Sequence, residues 1–266
     1  MKLTPVKSGT DLALSPEDAA RPDGVEKGKA LKKATKKEIN RISDAQRVFY
    51  ADARYALLII LQGRDAAGKD GTIRKVFSAV NPQGCTVTSF KAPTDTERAH
   101  DFLWRVHQAV PPRGMIGIFN RSQYEDILVP RVHEQIDEAE WKRRYRQINE
   151  FEKMLSEQHV IILKLMLHIS PDEQKQRLNE RLENKKKNWK FRRDDLDDRS
   201  RWGAFTDAYR EMLHATSTKW APWYVVPADS KKVRNWLIAQ TIAETLEGLD
   251  LRYPKPASDI EGLEVI

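Results

Sequence analysis

Residues 63–72 read Gly-Arg-Asp-Ala-Ala-Gly-Lys-Asp-Gly-Thr and follow directly on the unbroken apolar run Tyr55–Gln62. An apolar run of that length with no alternation is what a strand buried on both faces requires, and such strands belong to parallel sheets. The glycines let backbone N–H groups converge on an anion. A helix opening at the end of the loop adds its partial positive charge. Gly63, Gly68 and Lys69 have the spacing of a GxxxxGK phosphate loop in the strand–loop–helix context that this motif needs. Lys69 is the candidate point charge on a bridging or terminal phosphate. Gly63, Arg64, Ala66, Ala67, Gly68, Asp70, Gly71 and Thr72 are the candidate phosphate or nucleotide contacts around it. A chance glycine turn is the alternative, and both spacing and context argue against it. The hydroxyl that usually follows the lysine and serves Mg²⁺ is missing. Asp70 stands there, with Thr72 two residues on. Asp65 is the candidate metal ligand in its place, because an acid inside a phosphate loop repels its ligand unless a cation bridges them; a turn-capping role is the alternative.

The rest of the chain alternates. Strands are expected at Cys85–Phe90, Met115–Phe119, Val160–Ile169 and Trp223–Pro227. Helices are expected over 25–54, 70–80, 95–109, 138–158, 199–215 and 231–246, and Ser170-Pro171-Asp172-Glu173 reads as a helix start. Strands alternating with helices imply an α/β fold with a parallel five-stranded sheet flanked by helices. Residues 1–40 read as an N-terminal arm and basic helix, 41–250 as the catalytic unit and 251–266 as a tail. The first 24 residues, with Pro5, Pro16 and Pro22, are expected to be extended against a neighbouring surface.

In open α/β sheets, ligands bind at the carboxyl ends of the strands. Asn120 and Arg121 follow the third strand and so point toward the crevice that holds Lys69. Glu125 and Asp126 are candidate carboxylates there, Asp126 for the metal, with a solvated helix start as the alternative. Lys91, after the second strand, is a candidate contact for an acceptor phosphate. Residues 177–201 hold ten cations among six acids. Arg177 and Arg181 are four apart and share a helix face. With Lys190, they make a candidate helical lid (about residues 171–201) that closes over phosphates and neutralises transition-state charge. A solvated charged face is the alternative.

Composition narrows the class. Lys and Arg total 46 against 39 Asp and Glu in 266 residues, a net +7 that favours polyanionic partners without choosing among them. The lone cysteine, Cys85, rules out a disulfide framework, which fits a reducing cytoplasm. The most apolar stretches, Ala56–Leu61 and Val160–Leu167, fall well short of the ~20 residues a membrane helix needs. The six histidines have no metal spacing, and no GxSxG, HExxH or CxxC occurs. Phosphoryl transfer onto another phosphate needs none of these, because an acceptor with a second pKa near ~6 is already anionic.

GRDAAGKDG at 63–71, KAPT at 91–94, FNRSQYED at 119–126, the Arg-rich 177–201, AYREML at 208–213 and APWYVVPADSK at 221–231 together resemble the family-2 polyphosphate kinases over roughly residues 40–250. The resemblance implies a thymidylate-kinase-like P-loop fold with a helical lid. It implies transfer of the terminal phosphoryl of polyphosphate to ADP and AMP, reversible for ATP, with Mg²⁺ as cofactor and Mn²⁺ as a substitute. It assigns Asp65, Lys69, Arg121 and Arg181 as the catalytic group, and Asn120 as partner of Arg121. Many relatives carry Asp where Asn120 stands, which leaves a second metal carboxylate open. The FNRS-x-YED form is most similar to the subgroup that phosphorylates both AMP and ADP. The implied partners are polyphosphate, adenine nucleotides with guanine nucleotides as an alternative, and a second copy of the chain in a homodimer or homotetramer; nucleic acid and membrane are not among them. The rival readings are an ATP-dependent nucleotide kinase of the same fold and a non-catalytic nucleic-acid-binding protein.

Overall fold

A computed structural model describes residues 1–256; the end of the expected tail lies outside the described residues. Five parallel strands form one sheet in the order β2-β3-β1-β4-β5, with β1 Ala56–Gln62, β2 Cys85–Ser89, β3 Ile116–Asn120, β4 Val160–His168 and β5 Trp223–Pro227. Every residue of β1 is buried, as its apolar run demands. Its side chains alternate between two cores, Leu58 and Ile60 into one and Leu57, Ile59 and Leu61 into the other. The register pairs Leu61 with Asn120, and the Arg121 N–H donates to the Leu61 carbonyl at 3.1 Å. The segment after β3 is thereby tied beside the start of the phosphate loop.

Helices cover both faces. One layer holds α1 Gly28–Asp52, α2 Lys69–Val76 and α10 Lys231–Glu247; the other holds α5 Glu125–Val132, α6 Glu138–Glu157 and α9 Trp202–Thr216. The expected helix over 95–109 is two short ones, α3 Asp95–Arg98 and α4 Trp104–Ala109. Asp101 lies between them and accepts from the Leu103 N–H at 3.0 Å, a local bond that competes with helix continuation. The helix expected over 199–215 starts instead at Trp202, after α8 Asp194–Ser200. Helix α5 begins at Glu125, where a helix start is the alternative reading, and it carries Pro130 inside it. Proline has no N–H for the Asp126 carbonyl, and Arg144 donates to that carbonyl instead.

The N-terminal arm lies on its own chain. Val6 N–H donates to the Trp223 carbonyl at 2.8 Å, Ser217 Oγ donates to the Val6 carbonyl at 2.6 Å, and Asp229 N–H donates to the Ala19 carbonyl at 3.1 Å. Helix α1 runs unbroken across residue 40. Among the described residues, no helix is long and apolar enough to cross a membrane.

One buried polar cluster underpins the segment after β3. Lys164 on β4 is fully buried, and its Nζ donates to Glu152 Oε2 at 2.7 Å, Tyr124 Oη at 2.8 Å and the Thr216 carbonyl at 2.7 Å. Gln123 and Tyr124 both donate to Glu152 Oε1, at 3.0 and 2.8 Å. All three ammonium protons are used, which such a site requires. The cluster anchors Gln123 and Tyr124, two of the three residues between Arg121 and Glu125.

Candidate active site

Gly63 opens the loop at φ +151, and a Cβ added there would lie 2.6 Å from the Leu167 carbonyl oxygen. That neighbour is backbone and cannot swing away, so only glycine fits. Gly63→Ala is expected to cost on the order of 1–3 kcal/mol through strain and forced backbone displacement. A shift of the urea midpoint checks it. Gly68 takes φ +103 as the N-cap of α2, and a Cβ there would run into the Arg234 guanidinium.

Two arginines from distant elements hold the loop from behind. Arg177, on α7 Pro171–Glu183, donates from Nη1 to the Ala66 and Ala67 carbonyls at 2.9 and 3.1 Å. Its Nη2 donates to the carbonyls of Ala228 and Asp229, at 2.8 Å each. Arg234, in the first turns of α10, donates from Nη1 to the Ala67 carbonyl at 2.8 Å. Burial, with Arg177 adding to it, pushes the Arg234 guanidinium down to about 9. With the Ala67 carbonyl drawn backward, the Gly68 amide that follows it points the other way, whereas the Ala67 N–H is spent on the Arg64 carbonyl at 3.2 Å. Arg177, expected at a phosphate, is engaged with the loop backbone in this structure. Its side chain is buried and directs its donors to backbone carbonyls, so it fastens the start of the lid to the loop.

Lys69 is buried in the first turn of α2, and its Nζ donates to the Gly63 carbonyl at 2.6 Å and the Arg64 carbonyl at 3.3 Å. Burial, with Arg121 nearby, lowers its pKa. Across from it, Arg121 sits in left-handed backbone at φ +66 and donates to Asp65 Oδ1 at 2.8 Å and Glu125 Oε2 at 3.4 Å. Glu125 also accepts from Gln62 at the end of β1. Arg121 is raised well above its ordinary value, chiefly by Glu125 and then by Asp65. Burial alone would raise the Asp65 carboxyl, but Lys69, Arg121 and Arg181 outweigh it and hold it below the usual carboxylate range. Lys69, Asp65, Arg121 and Arg181 therefore stand in one electrostatic cluster at the carboxyl edge of the sheet. Arg181 reaches it through Asp195 on α8, 3.2 Å away. Burial and the neighbouring Asp65 push the Asp195 carboxyl up. The narrow cavity here is lined by Gly63, Asp65, Arg121, Glu125, Asp198 and Tyr209, among others.

The remaining expected residues separate. The Asp70 carboxylate accepts from Asn120 Nδ2 and Lys190 Nζ, both at 2.9 Å, and so links the loop, the end of β3 and the lid. Arg64 lines the same cavity and packs its side chain on α9, the guanidinium 3.8 Å from the Trp202 ring centroid and Nη2 donating to Thr206 Oγ1 at 2.6 Å. Thr72 is buried, its Oγ1 3.4 Å from Asn235 Oδ1. Lys91 is exposed. Asp126, expected to serve the metal, has its carboxylate paired with Arg105 at 2.8 Å in a separate cavity lined by Glu97 and Arg144, and burial raises its pKa.

Sequence reasoning misses Arg234 and Asp195. Arg234 lies 167 residues from the loop carbonyl it holds, in a helix that reads only as a closing element. Asp195 reads merely as one of the acids diluting the lid's positive charge.

A sequence model of the polyphosphate kinase 2 (PPK2) family matches residues 25–254. The AMP/ADP-polyphosphate phosphotransferase of Meiothermus ruber is 51% identical over 225 residues, 85% of this chain and 84% of that protein. The ADP-polyphosphate phosphotransferase of Rhodopseudomonas palustris is 46% identical over 230 residues, 82% of this chain and 80% of that protein. Among solved structures, polyphosphate kinase 2 from Arthrobacter aurescens TC1 superposes with a TM-score of 0.90 at 44% identity, covering 97% of this chain and 92% of that one.

Proposed function

The chain belongs to the polyphosphate kinase 2 family, and on that premise we propose that it transfers the terminal phosphoryl group of polyphosphate to ADP and to AMP, the ADP reaction being reversible from ATP. The observation that carries this reading is the convergence of the loop lysine Lys69, the strand-end Arg121 and the lid Arg181 on Asp65. Three cations around one crevice match the need of phosphoryl transfer, in which positioning and charge neutralisation do most of the catalysis. Lys69 rests on the Gly63 carbonyl, Arg121 on Asp65 and Lys190 on Asp70. Phosphate oxygens are stronger partners for these cations than a neutral carbonyl, so substrate draws Lys69 off Gly63 and the lid cations inward. The lid contact between Lys190 and Asp70 opens to admit a chain and re-forms behind it.

Magnesium, with manganese as a substitute, fits the donor set. Among the described residues, no group of three or more ligating side chains is close enough to hold an ion alone. Asp65, with Asp195 beside it, matches an ion bound by one or two carboxylates together with substrate phosphates and water. Bound there, the cation supplies charge neutralisation on the reacting phosphates. The protein's own part is to keep Asp65 ionised, which Lys69, Arg121 and Arg181 do. We also take the assembly to be a homodimer or homotetramer.

Incubating the protein with Mg²⁺ and polyphosphate plus AMP or ADP, and separating the nucleotides by chromatography, tests the reading. ADP and ATP are the expected products. Formation of ADP from AMP and ATP, with polyphosphate inert, would instead mark an ordinary nucleotide kinase.

A further inference from the structure

Helix α1 divides along its length. Its inward stripe is Leu31, Thr35, Glu38, Ile39, Ile42, Gln46 and Phe49. The outward face of its first half carries Lys29, Lys32, Lys33, Lys36 and Lys37, all exposed. None of the five forms an ion pair among the described residues. Glu38, the acid that follows this run, is turned inward and pairs with Arg41. The second half is different: Arg41 bonds Glu247 at 2.8 Å, and Arg54, just past the helix end, pairs with Asp52 at 2.6 Å. Among the described residues the second half leaves one exposed cation without an ion pair, Arg47, against five lysines in the first, so the unpaired positive charge is concentrated at one end.

That end is the end at the active site. Val25 and Leu31 pack on Val233 and Leu237 of α10, while Arg41 meets Glu247 at the other end of α10. The two helices therefore run side by side in the same direction, and both start at the carboxyl edge of the sheet. The first turns of α10 touch the phosphate loop through Arg234 and Asn235. Packed helices lie about 8–10 Å apart, so the lysine face of α1 begins one helix away from Lys69. Lys231 and Lys232 are exposed in the first turn of α10, and Arg74 and Lys75 are exposed on α2. Lys231 has Glu180 at 3.7 Å. From Lys29 to Lys37 the rise is about 12 Å at ~1.5 Å per residue.

We propose that this lysine face binds the distal segment of the donor chain, so that α1 is an outer track holding a long polyphosphate whose end is in the phosphate loop. The inference rests on the polyphosphate donor reading above. Its chemistry favours a polyanion without bases. Lysine ammoniums are compact point charges suited to a flexible chain of phosphates. Residues 25–48 contain no aromatic side chain on which a base could stack, and single-stranded nucleic acid binding relies on such stacking.

The track makes affinity depend on chain length. A tripolyphosphate seated in the loop does not reach α1, whereas a chain of a hundred phosphates does. The test is the five-fold variant Lys29→Gln, Lys32→Gln, Lys33→Gln, Lys36→Gln, Lys37→Gln, all at exposed positions where substitution is near neutral for folding. For the long chain, KM is expected to rise about tenfold or more at low salt with kcat unchanged. The salt slope of long-chain binding is expected to fall by roughly 0.7 for each phosphate that the lysines no longer neutralise. For tripolyphosphate, KM is expected to stay at the wild-type value. An unchanged KM for the long chain, or an equal rise for both donors, overturns the proposal. Loss of binding to a labelled RNA oligomer with an unchanged long-chain KM overturns it too, and makes the helix a nucleic-acid surface. If the wild-type protein uses neither donor, the donor reading itself fails, a result distinct from the other three.

Discussion

Lys69→Met is expected to reduce the rate of phosphoryl transfer at saturating polyphosphate and ADP by about 10²–10³-fold while leaving a folded protein, the scale of losing one preorganised electrostatic stabiliser. Methionine keeps the apolar stem, so packing around the first turn of α2 survives. What disappears is an ammonium already stripped of water and held at the mouth of the loop, 2.6 Å from the Gly63 carbonyl. Its hydration cost is met in folding rather than during turnover, which is why its effect on rate exceeds that of a surface lysine. Lys69→Arg is expected to rescue little, because the larger planar guanidinium does not fit a buried site shaped for a point charge. Circular dichroism establishes the fold, and a coupled assay for ATP measures the rate. Turnover within a few-fold of wild type would remove Lys69 from the reaction.

The largest expected effect on stability lies well below the crevice. Lys164→Met leaves the Glu152 carboxylate buried with its cation gone, and it deprives Tyr124 Oη and the Thr216 carbonyl of a donor. Breaking one side of a buried pair costs about 3–5 kcal/mol. At roughly 2–4 °C per kcal/mol for a chain of this size, Tm should fall by on the order of 6–20 °C. Adding Glu152→Leu removes the orphaned charge, and the double variant is expected to recover most of the loss. Because Glu152 also holds Gln123 and Tyr124, the double variant should lose transfer activity even where its stability returns. Urea unfolding measures the first effect and kcat the second. A single variant costing under about 1 kcal/mol would mean that the pair is not the anchor.

Much of this was legible in the residues. The run Ala56–Gln62 could only be a strand buried on both faces, and the glycine-lysine spacing after it fixed the loop and the start of α2. Ser170 reads as a cap and is one, accepting from the Glu173 N–H at 3.3 Å. What was not legible depended on where side chains turn. Arg177 and Arg181 share a helical spacing, yet Arg177 is drawn in by four carbonyls and only Arg181 is left beside the crevice acids. Asp126 is next to Glu125 in sequence, but one residue along a helix is a turn of about 100°, which takes it to Arg105 and out of the crevice. Asp70 occupies the position of a metal-binding hydroxyl and instead joins Asn120 to the lid. The support that Arg234 gives the loop comes from far along the chain and has no local signature.

The central claim is that the crevice between Lys69, Arg121 and Arg181 is built for the end of an inorganic phosphate chain. A crystal structure of the protein grown with Mg²⁺ and polyphosphate tests it most directly. The account predicts a terminal phosphate within hydrogen-bond distance of all three cations, with the Lys69 ammonium moved off the Gly63 carbonyl. A chain ordered elsewhere on the surface, with that ammonium still on Gly63 and the crevice empty, would contradict it.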